Sequence, residues 1–548
     1  MAAGDTPAQP RAAAGAEARA ERLNTRAAGI VGLAVLCSRV LGLIREQVFA
    51  ALFGGGRIMD AFTIAFRIPN LLRDLFAEGA LSTAFVTVFS KTVVREDDAA
   101  AWRLANKVAT LATLTLSVIT LLGIAFAPQL VALLAPGFGG DKAALTVTLT
   151  RIMFPFILLV SLAALVMGML NAKNVFGMPA MASSFFNLGS IIGGVLLGLW
   201  LDPHFGPRAI VGLAIGTLLG GALQFGVQLP ALRRQGYRYR VDFRWRDPGV
   251  SAILRLMGPS VIAASSTQVN VLVNSVFASR LGDGPTYWLN IAFRLMQLPL
   301  GVFGVALGTV ALPLLARMAA GNNMQAFRSE LARGMRLAFL LTIPASVGLM
   351  VLAEPIMSVL YQHGRFGAHA TLEAAGALRF YAIGLCGYAA LKVLVNAFYA
   401  LERRKTPMVV SFVAVGVNLL LNWIFTVRLG WGHRGLAFST ACVATSNFVI
   451  LYLLMRAHLG RLESGAMGLL LAKLTLACAA LVGIAWAGAH WLLADWAVQP
   501  FWPKLAALAA VIACAAGAFF ICASALGIPE LQDIVRSVRR KLRGAARD

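Results

Sequence analysis

Apolar stretches of about twenty or more residues recur along the whole chain, parted by short polar breaks. Each is long enough to cross a bilayer as an α-helix. Their limits predict fourteen spans, near residues 27–52, 60–91, 102–128, 145–171, 178–201, 207–230, 250–281, 287–317, 332–354, 372–401, 407–429, 433–457, 466–494 and 501–526. The pattern is that of an all-α polytopic membrane protein. Residues 1–26 are polar and rich in Ala and Arg, with no apolar core. They are expected to form a disordered cytoplasmic tail rather than a signal peptide.

The loops carry the orientation signal. Basic residues crowd the segment before span 1 and the connections after spans 2, 6, 8, 10 and 12, as in Arg233, Arg234, Arg238, Arg240, Arg244 and Arg246. The alternate loops, PGFGGDK, DPHFGP, LGDGP and LGWGH, have no such clusters. Basic loops stay on the cytoplasmic side, so both termini are expected in the cytoplasm, which requires an even number of spans.

A repeat is also visible. Ile64-Ala65-Phe66-Arg67 recurs as Ile291-Ala292-Phe293-Arg294, and the same offset of 227 pairs Gly55 with Gly282, Phe76 with Phe303 and Ala84 with Ala311. The expected organisation is therefore a six-helix half over 27–234, a second over 235–462, two further helices over 463–526 and a basic cytoplasmic tail over 527–548. Two parallel halves of six spans are a transporter design.

Composition supports the membrane reading. The 548 residues are 59% hydrophobic and 13% charged, against about 25% charged in soluble proteins. The net charge of +24 is spread over short loops, which points to topology and anionic lipid head groups and away from nucleic acid. The six cysteines lie in apolar stretches without metal-ligand spacing and are expected to be buried thiols. Neither an HExxH pair nor a GxxxxGK[ST] loop occurs, so neither zinc hydrolysis nor ATP hydrolysis by a phosphate loop is expected.

The candidate chemistry lies in charges placed inside spans. Each costs roughly 2.5–3.5 kcal/mol to insert, so such groups face protein or a watery cavity. Arg39, Arg45 and Arg73 in the first half and Arg294 in the second are the candidates for binding a phosphorylated cargo. Guanidinium gives bidentate, charge-assisted hydrogen bonds to phosphate and stays protonated. Glu46, Asp60 and Glu78 are expected to neutralise neighbouring arginines, with proton or cation coupling as their second reading. Asn270 with Asn274, and Asn418 with Asn422, repeat at i, i+4 on one helical face. Interhelical hydrogen bonds account for them, and a sodium site is the other reading.

The stretches SRVLGLIREQVFAALFG, DAFTIAFRIPNLLRDLFAEGALSTAFV, RLMQLPLGVFGVALGTVALP and AFYALERRKTP resemble the MurJ/MviN family, lipid II flippases of the multidrug/oligosaccharidyl-lipid/polysaccharide exporter superfamily. The resemblance implies a fourteen-helix inner-membrane protein, not an enzyme. It would carry undecaprenyl-diphosphate-linked disaccharide-pentapeptide to the outer leaflet by alternating access, for peptidoglycan synthesis and cell shape. It assigns the family's essential cavity arginines to Arg39, Arg45, Arg73 and Arg294, its important acidic residues to Asp60 and Glu78, and a groove for the lipid tail to the last two helices. Many members have Tyr-Ala-Asp before the span 8 arginine, where this chain has Ile291-Ala292-Phe293, so a carboxylate partner for Arg294 is missing. Expected partners are lipid II or a similar glycolipid, membrane lipids and cell-wall synthesis proteins. No cofactor or metal is expected beyond coupling to membrane potential or a monovalent cation. Alternatives are an exporter of another polyprenyl-linked oligosaccharide and a cation or drug antiporter of the same superfamily.

Overall fold

A computed structural model describes residues 10–75, 81–460, 462–533 and 536, and all regular structure among them is helical. The first elements are α1 (Pro10–Phe53), α2 (Arg57–Arg73), α3 (Ser82–Arg95), α4 (Asp98–Ala125), α5 (Ala127–Leu134), α6 (Gly140–Met153) and α7 (Phe156–Ala172). Next come α8 (Gly177–Leu201), α9 (Ala209–Gly226), α10 (Leu229–Arg234), α11 (Pro248–Ser279), α12 (Pro285–Ala320) and α13 (Met324–Val351). The remainder are α14 (Ala353–Tyr361), α15 (Ala368–Ala400), α16 (Lys405–Asn422) with a π-helical turn at Trp423–Arg428, α17 (Gly432–Leu459), α18 (Ser464–Trp491) and α19 (Phe501–Ala525). Helix α1 begins at Pro10, inside the stretch expected to be a disordered tail. Ala, Arg and Glu dominate there and all favour helix.

Ten helical segments among the described residues are long and apolar enough to cross a membrane, and α11, bent by 42° next to Ile262, makes an eleventh. The other expected spans differ for identifiable reasons. Helix α2 is only 17 residues long and carries three charges before Arg73, α2 and α3 are parted by residues outside the described set, and α1 and α12 each include residues whose side chains are outside it.

The chain divides into two compact units, the first comprising Met1–Val48, Ala65–Leu130 and Leu145–Ala264. Its α8 and α9 are packed backbone to backbone through small residues. A Cβ on Gly189 would lie 2.9 Å from the Cα of Gly220, and one on Gly193 3.2 Å from the Cα of Gly216. Glycines at four-residue spacing let helices approach closely in lipid, where apolar burial provides no drive toward association. Beside them α3, α4 and α7 share a core in which Phe85 and Phe89 are fully buried and stacked at 5.2 Å. Asp97 caps α4 by accepting from the Ala100 N–H, meeting one of the unpaired donors of a helix start.

The second unit comprises Phe49–Ile64, Val131–Ala144 and Ser265–Asp548. Helix α15 packs against α12, α13 and α17. Glycine again sets the closest approach, because a Cβ on Gly384 would lie 2.7 Å from the Cα of Ala441. Asn323 caps α13 through the Ala326 N–H at 3.1 Å. Helices α18 and α19 pack on each other and on α13, where Arg336 is bonded to both Glu463 and Glu530.

Candidate functional site

In the first unit the candidate arginines have three different settings. Arg39 on α1 is exposed. Arg45, two turns on, is 6% exposed and Glu46 7%, and Nη2 of Arg45 donates to Oε1 of Glu46 at 2.8 Å. The Arg45 guanidinium also lies over the Phe186 ring, 5.1 Å from its centroid. Phe186 continues into a row of tilted rings, 5.5 Å to Phe156 and 5.3 Å from there to Phe66. The ring face attracts the cation, and the neighbouring carboxylate offsets the cost of burying its charge. Gly42, between Arg39 and Arg45, admits Asn187 of α8, whose Nδ2 donates to the Ser38 carbonyl at 3.0 Å. Arg73 is half-buried and donates through Nη2 to Asp74 Oδ1 at 2.7 Å. Glu78 lies outside the described residues.

Asp60 in the second unit is completely buried and is the hub of a polar web. Its Oδ2 accepts from Lys142 Nζ at 2.9 Å and from the Gly284 N–H at 2.7 Å, and its Oδ1 from the Tyr287 N–H at 2.8 Å. Lys142 also donates to the Gly282 carbonyl at 3.1 Å and to Asp283 Oδ1 at 2.8 Å, and sits 4.0 Å above the Phe138 ring. Asp60 thus supplies acceptors to the orphan donors at the start of α12, where a negative charge also suits the helix dipole. Its ion-pair partner is a lysine, not the neighbouring arginine expected. Sequence reasoning passed over Lys142, although it is the one basic residue in the loop PGFGGDK.

Arg294, on α12 of the same unit, is half-buried. The position before it, read from the sequence as departing from the acidic residue of the resembling family, holds Phe293, whose ring packs on Tyr381 at 5.3 Å and Tyr388 at 6.5 Å. The structure brings three of the four candidate asparagines together. Asn422 Nδ2 donates to Asn274 Oδ1 at 2.7 Å and Asn418 Oδ1 at 2.9 Å, and Asn274 Nδ2 to Thr440 Oγ1 at 3.2 Å. The side-chain oxygens of Asn422 and Asn270 are buried without a donor. Among the described residues no group of three or more His, Cys, Asp or Glu side chains is placed to hold a metal ion.

With this geometry in hand, the chain was compared with known proteins. The family model described as Lipid II flippase MurJ matches residues 49–507. The Lipid II flippase MurJ of Burkholderia cenocepacia is 38% identical over 427 residues, covering 77% of this chain and 81% of the relative. A Probable lipid II flippase MurJ of Rhizobium meliloti is 34% identical over 518 residues, 93% of this chain and 95% of the relative. Among solved structures, a lipid II flippase MurJ in an inward closed conformation superposes with TM-score 0.74 at 24% identity, covering 92% of this chain and 99% of that one. An inward-facing multidrug resistance MATE family transporter gives 0.63 at 15% identity, covering 78% and 96%. At those identities the two structures speak for the fold alone.

Proposed function

The chain belongs to the lipid II flippase MurJ family, and on that premise we propose that Arg39, Arg45, Arg73 and Arg294 take up the diphosphate of its cargo. The protein is a multi-pass membrane transporter, not an enzyme, and its substrate is lipid II. Transport runs from the inner to the outer leaflet by alternating access, with both termini in the cytoplasm. The polyprenyl tail stays in lipid while the polar head crosses.

The observation that carries this reading is Arg45. A buried guanidinium held beside a carboxylate and a ring face, with its Nε lacking a hydrogen-bond partner among the described residues, offers a donor to an incoming anion. A diphosphate arriving there meets a charge already desolvated, where electrostatic attraction is far stronger than in water. Glu46 supports it by holding the side chain in one orientation. Asp60 serves by fixing the start of α12, the helix that carries Arg294.

Energy input comes from the membrane potential or a monovalent cation. The donor-free oxygens of Asn270 and Asn422 fit a weakly charged ion, which they would hold together with Asn274 and Asn418. The chemistry such an ion supplies is neutralisation of buried oxygens.

The test is complementation of a strain depleted of its own flippase, scored by lipid II accessibility at the outer face. Arg45→Ala should insert normally and fail to complement, and Arg45→Lys should restore little, since a point charge lacks the bidentate fork. Growth at the wild-type rate with Arg45→Ala as sole copy would refute the assignment. Flipping of defined lipids in vesicles separates lipid II from other polyprenyl-linked oligosaccharides.

A further inference from the structure

The first unit holds a cavity of about 630 Å³ bounded by α4, α7, the α9–α10 region and the segment that follows α10. That is within the roughly 300–1,000 Å³ of small-molecule sites. Its lining has two chemistries. Leu162 and Leu165 of α7 and Phe225 and Leu229 of the α9–α10 region supply apolar walls, and Arg233 and Arg238 supply positive charge. From Phe225 to Arg233 the lining runs eight residues along the chain, about 12 Å if helical throughout. A hollow lined by both apolar and cationic side chains suits an amphiphile with a negative head.

Among the described residues, Arg233 and Arg238 have no counter-ion. The two carboxylates of the following segment are engaged elsewhere, Asp242 by Arg244 at 2.8 Å and Asp247 by Lys107 at 2.5 Å. Arg233 and Arg238 are exposed and have no side-chain hydrogen bond or ion pair among the described residues.

The segment 237–247 itself argues that the occupant is a membrane lipid. It has no regular secondary structure, and two tight turns close its far end, the Trp245 N–H donating to the Phe243 carbonyl at 2.9 Å and the Asp247 N–H to the Trp245 carbonyl at 2.8 Å. Tyr237, Tyr239, Val241, Phe243 and Trp245 alternate with Arg238, Arg240, Asp242, Arg244 and Arg246. Its start is held down: Tyr237 packs on Trp102 at 5.2 Å, Tyr239 shares a hydrogen bond with Thr110 at 3.1 Å, and the Arg240 N–H donates to Asn106. Its middle is uncovered, with Val241 61% and Phe243 64% exposed. Exposed aromatic and apolar groups interleaved with arginine are what a lipid head-group layer accommodates, and an anionic surface attracts the basic residues.

We propose that this cavity binds an anionic phospholipid of the surrounding leaflet, one acyl chain between α7 and the α9–α10 region and the phosphate on Arg233 and Arg238. The site is separate from the arginines assigned to the cargo.

The experiment uses the full chain purified in detergent, titrated with phosphatidylglycerol, phosphatidylcholine or glycerol 3-phosphate, and read by native mass spectrometry and melting temperature. Phosphatidylglycerol should bind saturably and raise the melting temperature, with phosphatidylcholine at least tenfold weaker and glycerol 3-phosphate without effect. The double variant R233A/R238A removes exposed side chains and should melt like wild type without lipid, yet bind phosphatidylglycerol at least tenfold more weakly. Leu162→Trp, which fills the apolar part, should do the same, and Arg403→Ala should change nothing. Equal binding of the zwitterionic lipid, displacement by glycerol 3-phosphate, or undiminished binding by R233A/R238A would each overturn the proposal.

Discussion

At the scale of single residues, the sharpest feature is a carboxylate with no exposure and three donors. Asp60 and Lys142 form a buried pair, and removing one member of such a pair leaves the other charged, desolvated and unmatched, at a cost of about 3–5 kcal/mol. Lys142→Ala should therefore destabilise the purified protein by that order in a thermal or denaturant series. Asp283, its second acceptor, has a side chain 57% exposed and needs no rescue. The double variant Asp60→Asn with Lys142→Met should lose less than the sum of its parts, because residues in one network couple. Additive losses would mean the two do not act as a unit. Arg45 and Glu46 could be read from the sequence because the opposite charges are adjacent. The Asp60–Lys142 pair could not, since its members are 82 residues apart and helical periodicity says nothing about which loop folds over which helix. Phe293 was readable as a missing carboxylate, but the aromatic packing that occupies its place depends on α15, which no local pattern identifies as its neighbour.

At the scale of elements, two contacts make opposite demands on side-chain size and charge. On α9, a Cβ at Gly216 would collide with the backbone of α8 at Gly194, whereas one at Gly226 would meet nothing within 4 Å. Gly216→Val should force the helices apart, at about 1–3 kcal/mol or more for the overpacking. Gly226→Ala should be neutral or stabilise slightly through helix propensity. Comparable melting temperatures for the two variants would contradict the close packing. The expected spans 178–201 and 207–230 coincide closely with α8 and α9–α10 because length and apolarity mark them. The glycine spacing that joins them was in the sequence too, but a four-residue repeat of small residues does not name its partner. The irregular segment before α11 is held by charge. Hydrogen bonding to Arg244 lowers the Asp242 carboxyl to about 2. Burial raises that of Asp247, but the Lys107 ammonium and the Gly249 N–H outweigh it and the net shift is downward. A carboxyl held below its unfolded value of about 3.9 stabilises the fold above that pH and loses the contribution as pH falls through the folded value. Proteolysis of this segment should thus be constant from pH 8 to pH 5 and accelerate only below about pH 4, probed with an acid-active protease. A rise in cleavage near pH 6 would count against these pairs as the anchor.

At the scale of the whole molecule, the repeat and the charge distribution make one claim between them. Asp60 accepts from the N–H of Tyr287, 227 residues on, and 227 is the offset that superposes the two IAFR sequences. The sequence repeat and this hydrogen bond thus pair the same two positions. Copies that each contain six spans keep the same orientation, and a pair of further helices returns the chain to its starting side. The basic loops recur after every second span, as that count requires. The charges that make α2 a functional candidate also make it a poor span by hydropathy, and parts of α1 and α12 lie outside the described side chains, so the ten or eleven apolar helices among the described residues leave the parity of the chain open. Reporter fusions close it. A fluorescent protein that folds only in the cytoplasm should glow when fused at either end of the chain. Alkaline phosphatase, active only outside, should be active when inserted after Gly139 or Gly430 and silent after Gln235 or Arg403. Termini on opposite sides would require an odd number of spans. That count would leave the fourteen-span topology and the cytoplasmic placement of one terminus without support.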